Sequence, residues 1–282
     1  MLTAEDFGNF ETAWCPGCGN HSILKAVKKA LARSGIRPHE SIFVSGIGQA
    51  AKTPHYLKTN VFNGLHGRAL AAATGIRLAN PKANIVVESG DGCSYGEGGN
   101  HFLAAIRRNV TLTMLVHDNQ IYGLTKGQAS PTTTLGQTTK AQPRGNPSES
   151  FNPVALAVAM KANFVARSFS GLPEHLEEMI VQAMKQPGFS LVDIMQPCVS
   201  FNKINTFAWY KERCYHPDGH DPRNWEKAMN LAAVWGERIP VGIIYRGDRQ
   251  PFEQRLPHPT GDLLYGSRPA KDKLREVMDS YA

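Results

Sequence analysis

At 282 residues, with 41% hydrophobic and 20% charged residues, the chain has the make-up of a globular protein with room for one large α/β domain and an appendage, or for two small domains. It contains no run of about 18 apolar residues, as a membrane span needs, and no charged-then-apolar leader, so a cytoplasmic protein without membrane contact is expected. The net charge of +7 favours an acidic partner or substrate, but the Lys and Arg residues are scattered and form neither a dense basic tail nor a pattern interleaved with aromatics. Nucleic acid is therefore not an expected ligand.

In chain order, the first signal is Cys15-Pro16-Gly17-Cys18, followed by a helical pattern over His21 to Arg33. That pattern places Ile23, Leu24, Val27, Ala30 and Leu31 on one face and ends at Gly35, a C-terminal cap. Short apolar runs bounded by Gly, Pro or polar residues predict strands over Ser41 to Ser45, Asn84 to Ser89, Val110 to His117, Asn163 to Phe169 and Phe189 to Met195. Helices are predicted between them, over His66 to Ala79, Asn100 to Arg108, Pro153 to Lys161 and Pro173 to Lys185. The alternation implies an α/β fold, a mostly parallel sheet with helices on both faces and ligand sites at the C-terminal strand ends. Residues Gln120 to Ser150 form a long polar stretch of the kind that serves function rather than connection. After Cys198 the alternation stops. One helix (Asn224 to Glu237) and one strand (Pro240 to Tyr245) are expected in an extension over the core or onto a partner, which divides the chain into a domain at 1–200 and an extension at 201–282.

Two predicted strands run directly into chemistry. Asn84 to Ser89 leads into Gly90-Asp91-Gly92, and Val110 to His117 leads into Asp118-Asn119-Gln120-Ile121. Adjacent parallel strands would bring Asp91 and Asn119 together, where a carboxylate, an amide oxygen and a backbone carbonyl can hold Mg²⁺ with positions left for phosphate oxygens. The glycines allow close backbone approach, and the helix opening near Gly98-Gly99-Asn100 offers its N-terminus to negative charge. The five cysteines, an odd number, point to thiols or metal ligands rather than to disulfides; for Cys15 and Cys18 an iron-sulfur site, zinc and a redox pair are all compatible with the spacing. Gly46-Ile47-Gly48-Gln49-Ala50-Ala51 fits a dinucleotide fingerprint, but the acidic residue that motif needs about 20 positions later is missing from 60–77.

Gly90-Asp91-Gly92 with a spaced Asn119 is the signature of thiamine-diphosphate enzymes. Trp14-Cys15-Pro16-Gly17-Cys18-Gly19-Asn20, Ser45-Gly46-Ile47-Gly48, His66-Gly67-Arg68, Asp118-Asn119-Gln120-Ile121-Tyr122-Gly123-Leu124-Thr125 and Gly127-Gln128-Ala129-Ser130-Pro131-Thr132 add to it. In this order, over about residues 13 to 250, they resemble the β subunit of 2-oxoacid:ferredoxin oxidoreductases. The resemblance implies Mg²⁺ on Asp91, Asn119 and the Ile121 carbonyl. It places Gly46, Ile47, Gly48, His66, Gly67, Gly90, Gly92, Tyr122, Gly123, Leu124 and Thr125, with Cys18, around the bound cofactor. It assigns Cys15, Cys18 and Cys198 to a [4Fe-4S] cluster, with Gln49 where a fourth cysteine is expected. Lys52 matches a position near the substrate carboxylate, Leu124 one that shapes the substrate pocket, and Arg68 serves that region or pairs internally. The implied reaction is oxidative decarboxylation of a 2-oxoacid, 2-oxoglutarate in preference to pyruvate, with coenzyme A, to acyl-CoA, CO₂ and reduced ferredoxin. An α subunit with the pyrimidine-binding domain is implied, in an αβ or (αβ)₂ assembly. The departure at Gln49 keeps a non-redox thiamine-diphosphate decarboxylase or synthase subunit as the alternative.

Overall fold

The computed structural model describes residues 2–256 and 271–281. Seven strands form one sheet: β1 (Ser41–Ser45), β2 (Asn60–Asn63), β3 (Asn84–Gly90), β4 (Leu112–Asp118), β5 (Phe164–Phe169), β6 (Phe189–Met195) and, after two short strands β7 (Cys214–Tyr215) and β8 (Ile239–Pro240) that pair with each other, β9 (Gly242–Arg246). The order is β2-β1-β3-β4-β6-β5-β9, parallel throughout except for β9, which runs antiparallel to β5. Because β1 is followed by β2 on one side and β3 lies on its other side, the order reverses next to β1. Beyond the carboxyl ends of β1, β3 and β4 a crevice is thus left for a ligand.

Strands β4, β5 and β6 are buried along their whole length, as continuous apolar runs in a sheet covered on both faces must be. One face is covered by α2 (Ala69–Ala79), α3 (Gly99–Arg108) and α4 (Pro153–Ala159), whose Leu70, Phe102, Ile106 and Val154 pack with Val87, Met114 and Leu191. The other face carries α1 (Asn20–Arg33) and α5 (Pro173–Lys185), where Ile23, Val27 and Leu31 meet Leu176, Ile180 and Leu115. Apolar burial of this extent is the main stabilising term, about 25 cal/mol per Å² removed from water.

The predicted strands and helices are present, with shifted ends. The second helix begins at Ala69 rather than His66, because Gly67 adopts φ +74 and the turn it makes cannot be helical. Edge strand β2 is not foreshadowed: its side chains are exposed, so it has no buried periodicity to read. Past residue 200, residues 201–256 include segments that return to the core. There, α6 (Phe207–Arg213) sends Tyr210 against Phe169, while α7 (Trp225–Ala233) packs Ala228 and Ala232 into the cluster of α2 and α3. The last helix, α8 (Lys271–Asp279), has only exposed side chains. Among the described residues no helix is long and apolar enough to cross a membrane.

Candidate cofactor cleft and cysteine pocket

Gly90 pairs with His117, so Asp91 and the Asp118-Asn119 turn leave the sheet at the same level. Asp91 is buried at the start of a six-residue π-turn, Gly92–Glu97. Gln120 stands at φ +58 and Ile121 donates its N–H to Asn119 Oδ1 at 3.0 Å, a turn that brings the Ile121 backbone beside the amide side chain. Ile47, Gly48, Gln49, His66, Gly90, Asp91, Gly92, Cys93, Asn119, Ile121, Tyr122, Gly123, Leu124 and Thr125 line one cleft of about 460 Å³. Nearly every residue assigned to the cofactor thus comes to one place.

Others stand behind or beside it. Gly46 and Gly67 approach Cys93, whose Sγ accepts N–H groups from Ile47 at 3.4 Å and Gly67 at 3.1 Å; a Cβ on Gly46 would come within 2.5 Å of that sulfur. Buried Cys93 therefore ties the turns after β1, β2 and β3 together. Lys52 lies half-buried on the 3₁₀ turn Ala50–Tyr56, and exposed Arg68 contacts His101 Nε2 at 2.6 Å; neither lines the cleft in this chain.

Beneath Asp91 the polar stretch closes back on the sheet. Thr132 Oγ1 lies 2.8 Å from Asp91 Oδ2 and 2.7 Å from Asp118 Oδ1, and Asp193 accepts the Tyr95 hydroxyl at 2.7 Å. Burial raises the proton affinity of Asp91, Asp118 and Asp193, the last to about 6, and buried Arg167 is the positive charge that acts on Asp118 and Asp193. Among the described residues, Asp91 has no such cation beside it among the charges that act on it.

The cysteines lie next door. Cys15, Cys18 and Cys198 line a pocket of about 380 Å³ with Trp14, Asn20, Gln196, Ser200 and Phe201, and Gln49, Asn119 and Gly123 belong to its wall and to the cleft alike. Trp14 Nε1 donates to the Gln49 carbonyl at 2.9 Å, Ser200 Oγ to Cys15 Sγ at 3.1 Å, and Gln196 Nε2 to Cys18 Sγ at 3.5 Å. Burial pushes the Cys18 thiol up to about 11, with the neighbouring Cys198 and Cys15 thiols adding to it. All five cysteines are free. Among the described residues no three His, Cys, Asp or Glu side chains gather around a single ion; the three thiols face a common space instead.

Two connections carry no sequence signal. Gln196, at the end of β6, reaches Cys18 through Nε2 and accepts Asn119 Nδ2 at 3.2 Å through Oε1, joining pocket and cleft. His117, buried in β4, bridges Asn20 Oδ1 and Glu88 Oε1 at 2.8 Å each, which anchors the start of α1 under the cleft. Both depend on contacts between segments far apart in the chain.

The fold and the cleft together define a thiamine-diphosphate-binding domain. The family described as "Thiamine pyrophosphate enzyme, C-terminal TPP binding domain" matches residues 43–194, and the family for the C-terminal part of the pyruvate ferredoxin oxidoreductase beta subunit matches residues 198–260. A Sulfolobus 2-oxoacid:ferredoxin oxidoreductase subunit beta is 43% identical over 258 residues, covering 86% of this chain and 85% of the relative. The 2-oxoglutarate synthase subunit KorB of Archaeoglobus fulgidus is 42% identical over 245 residues, covering 87% and 88%. A solved 2-oxoglutarate:ferredoxin oxidoreductase from Magnetococcus marinus, with 2-oxoglutarate, coenzyme A and succinyl-CoA bound, superimposes with a TM-score of 0.88 at 35% identity, over 99% of this chain and 91% of that one. The chain belongs to the β subunits of the 2-oxoacid:ferredoxin oxidoreductases, and the non-redox alternative gives way to that assignment.

Proposed function

We propose that this chain provides the diphosphate-binding half of an enzyme that oxidatively decarboxylates a 2-oxoacid, 2-oxoglutarate in preference to pyruvate, with coenzyme A, forming acyl-CoA, CO₂ and reduced ferredoxin. The observation that carries the reading is the common wall: Gln49, Asn119 and Gly123 separate the cofactor cleft from the three thiols by a single layer of residues. A short electron path is what a ferredoxin-linked oxidation needs.

The residues fit the groups implied. Asp91, Asn119 and the Ile121 carbonyl are hard oxygen donors suited to Mg²⁺, and Asp91 is a buried carboxylate. Bound in the cleft, thiamine diphosphate supplies the electron sink on which a 2-oxoacid loses CO₂. The protein's part is to hold the diphosphate through the Mg²⁺ site and the glycine-rich turns, and to exclude water with the Tyr122 to Thr125 loop, in which Leu124 faces the cleft. For the cysteine pocket the fit is partial. Cys15, Cys18 and Cys198 provide soft ligands for an iron-sulfur cluster, which accepts electrons one at a time, while Gln49 offers a neutral amide at the fourth side. Lys52 is the candidate for the substrate carboxylate in the assembled enzyme, while Arg68 serves the same region or pairs within the chain, as it does here with His101.

Exposed apolar side chains lie on the cleft (Ile47 and Leu124) and on edge strand β2 and the turn after it (Val61, Phe62 and Leu65). An α subunit bringing the pyrimidine-binding domain, in an αβ or (αβ)₂ assembly, would cover them. The net charge of +7 suits an acidic ferredoxin, and the free thiols suit a reducing cytoplasm.

The test is iron and sulfide content, with an EPR spectrum before and after dithionite, on the anaerobically purified complex with its partner subunit. Iron-loaded protein with a reducible signal and 2-oxoacid-dependent ferredoxin reduction supports the proposal. Active, thiamine-diphosphate-loaded protein without iron overturns it.

A further inference from the structure

Glu97, the last residue of the π-turn after Gly90-Asp91-Gly92, does not line the cleft, yet it contacts two residues that do. Its Oε2 lies 3.1 Å from His66 Nδ1 and accepts the Tyr122 hydroxyl at 3.1 Å, with Oε1 at 3.4 Å. Among the described residues the buried His66 Nδ1 makes no hydrogen bond, and the 3.1 Å approach of Glu97 is a charge contact only.

The packing around this group admits little change. A Cβ on Gly67 would come within 2.5 Å of the Glu97 peptide carbon, one on Gly92 within 2.3 Å of the Tyr122 ring, and one on Gly96 within 2.6 Å of the Tyr122 hydroxyl. The His66-Gly67 turn rests on the Glu97 peptide, and the Tyr122 ring lies against the glycines of the π-turn. A π-turn, with its extra residue, is often kept where it aims a group at a site.

The Glu97 side chain is half exposed, so water screens much of its charge, and its bearing on the cleft is through the two residues it touches. At 3.1 Å from His66 Nδ1 it favours the tautomer that carries its proton on that nitrogen, as carboxylate partners of ligand-binding histidines do. Resting on the proposed thiamine-diphosphate function, we propose that Glu97 is a positioning residue for the cofactor diphosphate, acting through His66 and Tyr122.

The sign of one measurement separates this from a carboxylate that merely repels the ligand. Thiamine diphosphate binding at saturating Mg²⁺ is measured by calorimetry on the cofactor-stripped complex with its partner subunit. Glu97→Gln, nearly isosteric, weakens binding by roughly 10-fold or more, while kcat at saturating cofactor changes much less. In a His66→Asn background the same substitution loses most of its effect, because the two residues act through one contact. Binding that is unchanged or tighter in Glu97→Gln, or an equal loss in both backgrounds, overturns the inference; should Glu97→Gln fail to fold, Tyr122→Phe, which removes the hydroxyl alone, must weaken binding or the inference falls. If wild-type complex does not bind thiamine diphosphate at all, the functional reading fails instead.

Discussion

The cofactor cleft and the cysteine pocket share a wall but are built differently. The cleft stands on the ends of β1, β3 and β4, whose register places Asp91 and Asn119 together before any ligand arrives. The pocket is assembled from the loop before α1 and the loop after β6; Gln196 and Ser200, rather than strand register, hold the Cys18 and Cys15 thiols, and Trp14 fixes the Gln49 wall. A rigid scaffold suits the group that must be aimed at substrate. Looser loops suit ligands that close around a preformed cluster.

The largest expected effects separate the two regions. Asp91→Asn removes the buried carboxylate of the proposed Mg²⁺ site, and breaking such a pairing costs about 3–5 kcal/mol, upward of roughly 100-fold in Mg²⁺-dependent cofactor affinity. Iron content stays as in the wild type. Cys198→Ser gives the opposite pattern: iron falls and ferredoxin reduction is lost while calorimetric cofactor binding persists. Loss of both properties in either variant would mean that cleft and pocket fold as one unit.

The next effect tests the preformed character of the cleft. Gly92→Ala forces the Tyr122 ring aside, and overpacking of this kind costs about 1–3 kcal/mol. Gly67→Ala adds strain from φ +74 to a 2.5 Å approach. Both should lower the melting temperature of the complex and weaken cofactor binding, whereas Gly136→Ala, strained at φ +77 but with open space at its Cβ, should affect stability alone. Equal behaviour of the three would show that the close contacts do not matter.

A smaller change concerns Gln49. Its carbonyl is fixed by Trp14, next to Cys15, while its buried Oε1 has no partner among the described residues. Gln49→Cys supplies a fourth thiolate to the pocket, and the expectation is slower iron loss in air, followed by EPR and iron analysis over hours. Unchanged loss would argue that the fourth side is already closed by another ligand.

What can be read from the sequence divides along the same line. Asp91 and Asn119 are legible because each follows a strand, and strand ends converge in a parallel sheet. Gln196 joins Asn119 to Cys18 across 77 and 178 positions, and only the folded chain brings them together. Glu97 is hidden for a different reason: the segment Gly92 to Glu97 holds Gly92 and Gly96 and reads as a loop before the helix, whereas the structure winds it as a π-turn whose glycines make room for Tyr122. Strand β2, Asn60-Val61-Phe62-Asn63, has exposed side chains on both faces, so neither alternation nor an apolar run announces it.

The least disruptive test uses no mutation. In iron-free protein, Cys18 is held near 11 by burial and by its neighbouring thiols, against 9.0 for an ordinary cysteine, so its thiolate fraction near pH 8 is about 100-fold smaller than that of a free thiol. Alkylation at Cys18, followed by mass spectrometry of peptides, should therefore be slow at neutral pH and climb roughly tenfold per pH unit until the pH nears 11, while exposed Cys15 reacts first. The same shift acts on folding. A thiol whose affinity for its proton is raised in the folded state favours the fold below about 9 and loses that contribution as the pH rises toward 11. Soft-metal ligation demands the thiolate, so closing a cluster on this pocket must expel the Cys18 proton, and cluster uptake should release protons and slow as the pH falls. Fast alkylation of Cys18 at neutral pH would mean that the pocket is open to water without its cluster, and that the loops, unlike the strand ends, are ordered only by what they bind.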